Sequence, residues 1–117
     1  MRRASSTSLL LLLPAILVFL CFLDFTFADQ KTWCVAKPSS EEATLLENIN
    51  FACAHVDCSV MHKGCPCNSP DSLMNHASIA MNLYYQCKGR NHWNCHFGNS
   101  AIIVITNPSY GGCTYES

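Results

Sequence analysis

The alternation of apolar and polar residues predicts two strand segments at opposite ends of the folded part of the chain. The segment Thr32–Ala36 is expected to be a short strand, with Trp33 and Val35 on one face. The segment Ala101–Thr106 is apolar and β-branched, which predicts a buried strand. The turn residues NPSYGG follow it, and CTYE from Cys113 is expected to close the sheet as an edge strand.

Helical spacing between these segments predicts a first helix over Ser40–Ala54. Ser39 and Glu42 stand in the spacing of a capping box, in which each side chain hydrogen-bonds the other residue's backbone amide. The apolar positions of this helix are Leu45, Ile49, Ala52 and Cys53. A cysteine-dense loop without a clear period is then expected from Cys53 to Cys67.

A second helix is predicted to begin at Ser69 as the N-cap, with Pro70 in the first helical position and Asp71 behind it. Gly89 is expected to end it. Its core-facing stripe is predicted to contain Leu73, Ala77, Ala80, Met81, Tyr84 and Cys87.

The N-terminal residues have the three parts of a secretory signal peptide. Arg2 and Arg3 precede the apolar run Leu9–Leu23, which is short for a membrane-spanning helix. Thr26-Phe27-Ala28 then places small residues at both cleavage-determining positions. We therefore expect a signal peptide over residues 1–28 and one domain over residues 29–117. An uncleaved membrane anchor is the alternative interpretation of this run.

Eight of the nine cysteines lie beyond residue 28, an even number in a small secreted domain. That pattern is typical of a disulfide framework, which compensates for a limited hydrophobic core. The pairing cannot be chosen from spacing alone. These observations together predict an α+β fold, a small disulfide-rich domain with two main helices packed on a small antiparallel sheet.

The charge of the expected domain argues against several classes of partner. Residues 29–117 keep five of the seven basic and seven of the eight acidic residues, a net charge of −2. Such a chain has no electrostatic attraction for nucleic acid or anionic lipid. No hydrophobic tail follows Cys113, so we expect no membrane anchor, and we expect a secreted, extracellular monomer.

A metal site is the rival interpretation of the cysteines and histidines. Cys65 and Cys67 with His62, His92 and His96 offer ligand atoms. Zinc sites favour paired ligands two to four residues apart and a reducing compartment, whereas the signal segment indicates export. We therefore predict no metal and no cofactor.

Several motifs, in order and with consistent spacing, resemble the plant X8 domain, also called carbohydrate-binding module family 43. They are WCVAKP from Trp33, NFACAHVDC from Asn50, HASIAMNLYYQ from His76, NCHF from Asn94 and NPSYGGCTY from Asn107. The likeness is to the small, single-domain, secreted type, similar to olive-pollen allergens. It implies binding of β-1,3-glucan, called callose in plants, and a place in the cell wall or apoplast.

The resemblance also implies a disulfide pattern. It pairs Cys34 with Cys95, Cys53 with Cys58, and Cys67 with Cys113. Cys65 and Cys87 stand where the common six-cysteine pattern has none, and we expect them to form a fourth bridge.

Two residues depart from the family pattern. Ile79 stands where relatives commonly have Tyr, a proposed sugar contact, and His96 stands where they usually have Asp. Because Ile79 cannot stack flat on a sugar ring, this change predicts weaker binding or a contact elsewhere.

A sugar-binding surface needs aromatic faces beside amides or charges. The second helix offers such residues outside its predicted core stripe, and we expect carbohydrate contacts from Asn82, Tyr85, Gln86 and Arg90. Tyr84 is expected to pack in the core, and Trp33 and Trp93 are expected to pack beside cysteines.

The function predicted from the sequence is non-catalytic binding. Glycoside hydrolysis normally needs two carboxyl groups facing each other across a cleft, and no such pair stands out. The alternatives are a small disulfide-rich defence or lipid-carrying protein, and a structural wall protein with weak or no glucan binding. Lipid-transfer proteins have an adjacent Cys-Cys pair that this chain lacks.

Overall fold

The computed structural model describes residues 30–117, so the expected signal peptide lies outside the described residues. The helices and strands, in chain order, are β1 (Trp33–Ala36), α1 (Glu42–His55), α2 (Leu73–Cys87) and β2 (Ala101–Val104). Short 3-10 turns are formed by Ser59–Met61, Pro66–Asn68 and His92–Cys95. Within residues 30–117, no helix combines the length and apolar character that a membrane crossing requires. The predicted α+β, disulfide-rich fold is confirmed.

The two strands form an antiparallel pair with Trp33 opposite Val104 and Ala36 opposite Ala101. β2 stops at Val104, two residues before the predicted end, and Ile102 is exposed. The strand is therefore only partly buried. The closing strand expected from Cys113 is also wrong, since Cys113 forms only an isolated bridge with Tyr110.

α1 has the predicted helical spacing but not the predicted cap. Glu41 occupies the N-cap position and its side chain caps no amide, so the Ser39–Glu42 capping box is absent. The hydroxyl of Ser40 instead donates to the carbonyl oxygen of Ser100 at 3.3 Å. Ser40, the residue after the predicted capping serine, is thus held by a tertiary contact and caps no helix amide.

α2 begins three residues after the predicted first position, with Ser72 rather than Ser69 as its N-cap. The Ser72 hydroxyl accepts the backbone N–H of Asn75 at 3.2 Å. The carbonyl of Ser69 accepts the Tyr110 hydroxyl at 2.6 Å, and the peptide bond to Pro70 is cis. The Ser69–Pro70 pair therefore belongs to the contact with the C-terminal turn, not to the helix.

The core lies on both sides of α2, since this helix packs against α1 and against β1. One cluster joins Leu45 of α1 to Met81 of α2, and the other surrounds Trp33. Ile79 is buried in the second cluster, so the departure at this position falls in the core rather than on the surface. Burial also raises the pKa of Tyr115, in the same cluster, to about 12.

Within residues 30–117 three disulfides are formed, and they are the three that the resemblance implied. They join Cys34 to Cys95, Cys53 to Cys58, and Cys67 to Cys113. The expected fourth bridge is wrong, because Cys65 and Cys87 are both free thiols. Cys87 is exposed at the end of α2 and does not point inward, whereas the Cys65 thiol lies 3.8 Å from the carbonyl oxygen of Ser59.

Candidate functional site

Two of the four predicted sugar contacts are buried. Asn82 is 1% exposed and Tyr85 is 2% exposed, so the expectation that they face solvent is wrong. The Tyr85 hydroxyl is 2.7 Å from the Thr32 hydroxyl. The Asn82 side chain accepts the Cys34 backbone N–H at 3.1 Å and donates to the Glu116 carbonyl at 2.9 Å. Both polar groups are satisfied inside the protein.

These contacts belong to a polar ladder, which we define as Ser78, Asn82 and Gln86 of α2. Ser78 accepts the Ala36 backbone N–H at 3.0 Å, and Gln86 donates to the Thr32 carbonyl at 2.8 Å. The ladder residues are four apart and so lie on one face of the helix, and with Asn82 bound to Cys34 they contact every second residue of the strand segment. The ladder therefore satisfies the edge of β1 that has no strand neighbour.

Gln86 and Arg90, the other two predicted contacts, line a groove of about 490 Å³ at the C-terminal end of α2. Charged residues border it, including Asp57 and Glu116. A hydrogen bond from the Ser59 backbone N–H lowers the pKa of the Asp57 carboxyl. No aromatic side chain is among the residues that line this groove, which are Val56, Asp57, Leu83, Gln86, Cys87, Gly89, Arg90, Glu116 and Ser117.

A second cavity lies between α1, α2 and the segment 93–98, and we call it the aromatic groove. Its volume is about 610 Å³. Its lining contains both aromatic rings and polar groups, in contrast to the groove beside Arg90, which has no aromatic residue among its described lining residues. The lining residues are Thr44, Glu47, Asn48, Phe51, Tyr84, Trp93, Asn94, His96, Phe97 and Gly98.

Three rings form the floor of the aromatic groove by packing edge to face. The ring centroids of Phe51 and Tyr84 are 5.2 Å apart, and those of Tyr84 and Phe97 are 5.7 Å apart. Such T-shaped contacts suit the charge distribution of aromatic rings and hold their orientation. The Lys88 ammonium lies 5.6 Å from the Tyr84 centroid and His55 packs on Phe51 at 4.5 Å, so the cluster is supported from outside the groove as well.

Trp93 stands at the edge of this floor and is 74% exposed. The expectation that it packs as a structural residue beside a cysteine is wrong. It lies in the 3-10 turn His92–Cys95, and the Cys34–Cys95 disulfide ties this turn to β1. The residue that does pack is Trp33, which is 4% exposed. An exposed tryptophan on a covalently anchored turn is a preformed flat apolar surface.

An unusual backbone segment places the third ring of the floor. Phe97, Gly98 and Asn99 have φ angles of 47°, 61° and 67°, so three consecutive residues are left-handed, a conformation that is strained for a phenylalanine. Lys37 donates to the Asn99 side-chain oxygen at 2.8 Å. Ser100 anchors the other end, since its hydroxyl accepts from the Asn48 amide at 2.8 Å and bonds the Phe97 carbonyl. Contacts with residues outside this segment thus hold the Phe97 ring in the floor of the aromatic groove.

The aromatic groove carries the groups that recognition of a sugar ring requires. Apolar ring faces lie beside hydroxyl, amide and carboxylate groups, the combination that matches the apolar face and the hydroxyl rim of a sugar ring. Among the described residues that line it, Glu47 is the only carboxylate, so the pair required for glycoside hydrolysis is not present there. Within residues 30–117, no group of three or more potential ligand side chains could hold a metal ion.

Comparison with protein families identifies this architecture. The model of the X8 domain matches residues 32–102, a range that contains β1, both helices and the whole aromatic groove. The chain belongs to the X8 domain family.

Relatives of this X8 domain include both large and small plant proteins. The chain is 46% identical to a glucan endo-1,3-beta-D-glucosidase of Olea europaea over 74% of its own length and 19% of the relative. It is 38% identical to the major pollen allergen Ole e 10 of the same species over 74% of this chain and 72% of that one. It is 39% identical to plasmodesmata callose-binding protein 5 of Arabidopsis thaliana over 73% of this chain and 48% of that one. The chain therefore spans about a fifth of the length of the glucosidase.

The aromatic groove of this X8 domain was missed in part because its residues come from three separate segments. One signal was present in α1, where Thr44, Glu47, Asn48 and Phe51 share a face at helical spacing. Phe51 lies within the motif NFACAHVDC, which indicated the family but gave no sign that its ring lines a groove. Tyr84 was assigned to the core, and the structure places it half-buried in the groove floor.

Proposed function

We propose that this X8 domain is a secreted, non-catalytic module that binds β-1,3-glucan in the plant cell wall. The relatives support the ligand class, since one is named as callose-binding and another as a glucan endo-1,3-beta-D-glucosidase. The observation that carries the proposal is the exposed Trp93 beside the ring floor of Phe51, Tyr84 and Phe97. A sugar ring can stack on such a surface at little conformational entropy cost.

The proposed binding mode uses both parts of the groove wall. Trp93 and the exposed edge of Phe51 would cover the C–H face of glucosyl rings, while Glu47 and Asn94 would meet their hydroxyl groups. Because the rings are packed on each other and the turn of Trp93 is tied by a disulfide, little ordering is needed when the polymer binds. The module acts by holding the polymer, with no covalent step.

Retention on insoluble β-1,3-glucan, beside cellulose and another β-1,4-linked polymer, tests the proposal. We expect selective retention of the oxidised protein and no release of reducing ends. Trp93→Ala should weaken binding at least tenfold, about 1.4 kcal/mol, as for a tryptophan at the centre of an interface.

Ile105→Ala is the matched control, since Ile105 is also 74% exposed but does not line the aromatic groove. It should bind as the unmodified protein does. The predicted contacts Gln86 and Arg90 remain an alternative location, because they line the charged groove. Loss of retention in Arg90→Ala but not in Trp93→Ala would move the site there. No selective retention at all would instead favour a structural or defence role.

A further inference from the structure

The aromatic groove has a single fixed charge among the described residues that line it. That charge is the carboxylate of Glu47, and neither lysine nor arginine is part of the lining. His96 and Tyr84 are the other lining residues that carry a titratable group. Lys88 contacts the outer side of the ring cluster through Tyr84 and is not a lining residue. The groove therefore presents one negative charge beside an otherwise uncharged surface.

The position of Glu47 directs this charge toward anything that stacks on the rings. Glu47 is one helical turn before Phe51 and three residues after Thr44, so the three share one face of α1. Its side chain is exposed, and no salt bridge of this carboxylate occurs among the described residues. Both oxygens can accept hydrogen bonds from sugar hydroxyls, and both repel an approaching carboxylate.

We propose that Glu47 is a specificity-determining residue, which makes the groove select uncharged β-1,3-glucan and reject glucans that carry carboxylates. The inference rests on the proposed function of the aromatic groove. Two like charges about 5 Å apart in water repel each other enough to weaken binding about fourfold, and a polymer with many acidic groups brings several of them near the site. Discrimination by an added repulsion is a general source of specificity.

Titration with two soluble polymers tests this role of Glu47. The probes are laminarin, an uncharged β-1,3-glucan, and carboxymethylated β-1,3-glucan, both at the same low ionic strength and the same pH. The full chain should bind laminarin more tightly than the carboxymethylated polymer. Glu47→Gln keeps the side-chain shape, and it should narrow the affinity ratio at least about threefold. Glu47→Lys should reverse the direction of the preference.

The control variant Glu116→Gln tests whether the change in affinity ratio comes from the charge within the aromatic groove or from the net charge of the protein. It removes the same charge from an exposed side chain in the other groove, so the ratio should stay as in the unmodified protein. Salt at about 1 M, where the Debye length is about 3 Å, should abolish the discrimination in the unmodified protein. An unchanged ratio in Glu47→Gln, or an equal change in Glu116→Gln, overturns the inference while leaving laminarin binding in place. Absence of laminarin binding would overturn the proposed function and the inference together.

Discussion

The two sides of α2 use similar residue types for opposite purposes. On the side that faces β1, amide and hydroxyl side chains of the polar ladder bond the strand backbone, and Tyr85 is buried beside them. On the side that faces α1, Tyr84 packs with Phe51 and Phe97 in the floor of the aromatic groove. Of these adjacent tyrosines, Tyr85 therefore stabilises the fold and Tyr84 contributes to the proposed binding surface.

A structural polar residue differs from a binding one in whether its hydrogen-bonding groups already have partners within the protein. Asn82 is an amide beside a tyrosine, and so it resembles a sugar contact in sequence. Its hydrogen-bonding capacity, however, is used by the backbone of Cys34 and Glu116. A side chain whose partners are the protein's own backbone groups has little capacity left for a ligand.

The two tryptophans provide the strongest test of this difference. Trp33→Ala should lower the free energy of unfolding by about 3–5 kcal/mol, because it removes a large side chain from the cluster around Ile79 and Tyr115. Trp93→Ala should change it by less than about 0.5 kcal/mol, since the ring is mostly exposed. Urea unfolding followed by circular dichroism measures both values.

For folded protein, glucan affinity should depend strongly on Trp93 and little on Trp33, which is the reverse of their effects on stability. Trp93→Ala loses affinity, while Trp33→Phe, which keeps most of the buried ring, should retain it. Equal destabilisation by the two alanine variants would mean that Trp93 packs in the core as Trp33 does, which contradicts its assignment as a binding residue.

The polar ladder gives the second prediction. Asn82→Ala should cost about 2 kcal/mol, since it leaves the Cys34 N–H and the Glu116 carbonyl without their bonds to this side chain. Asn50→Ala removes the same side chain from an exposed position of α1 and should cost less than about 0.5 kcal/mol. Both variants should bind glucan normally under conditions where they are folded. If the Asn82→Ala variant is stable but retained less on glucan, Asn82 contacts the sugar as the sequence predicted.

Much of the fold could be predicted because its signals are local. Helical spacing identified Leu45 and Ala52 in α1, and both are buried. The β-branched run identified β2, and the resemblance implied the three disulfides that form. The helix starts were less predictable. Glu41 rather than Ser39 is the N-cap of α1, and the Ser69 carbonyl bonds the Tyr110 hydroxyl while Ser72 caps α2, so tertiary contacts can override a local cap signal.

The site could not be predicted from α2 alone because its neighbours decide which face is free. Asn82 of the polar ladder lies outside the predicted core stripe, and it is buried because the unpaired edge of β1 lies against it. The aromatic groove combines α1, α2 and the segment 93–98, and the α1 side of the groove is separated in sequence from the other two by the whole cysteine-dense loop. The left-handed conformation at Phe97 also has no signal in the residue type itself.

The smallest predicted effect comes from the backbone that shapes the groove wall. Gly98 has a φ of +61°, and a Cβ built on it meets no atom within 4 Å, so Gly98→Ala adds backbone strain without a clash. We expect a loss of roughly 1 kcal/mol in the free energy of unfolding. Gly64→Ala is the matched control, because Gly64 has a φ of +90° and equally open surroundings but lies outside the aromatic groove. Both variants should be destabilised to a similar extent, and only Gly98→Ala should weaken glucan retention, by about twofold to threefold, since it loosens the turn that holds the Phe97 ring. If the two variants are retained equally on glucan, the turn at Gly98 has only a structural role. Binding would then depend on Trp93 and Phe51 and not on the position of the Phe97 ring.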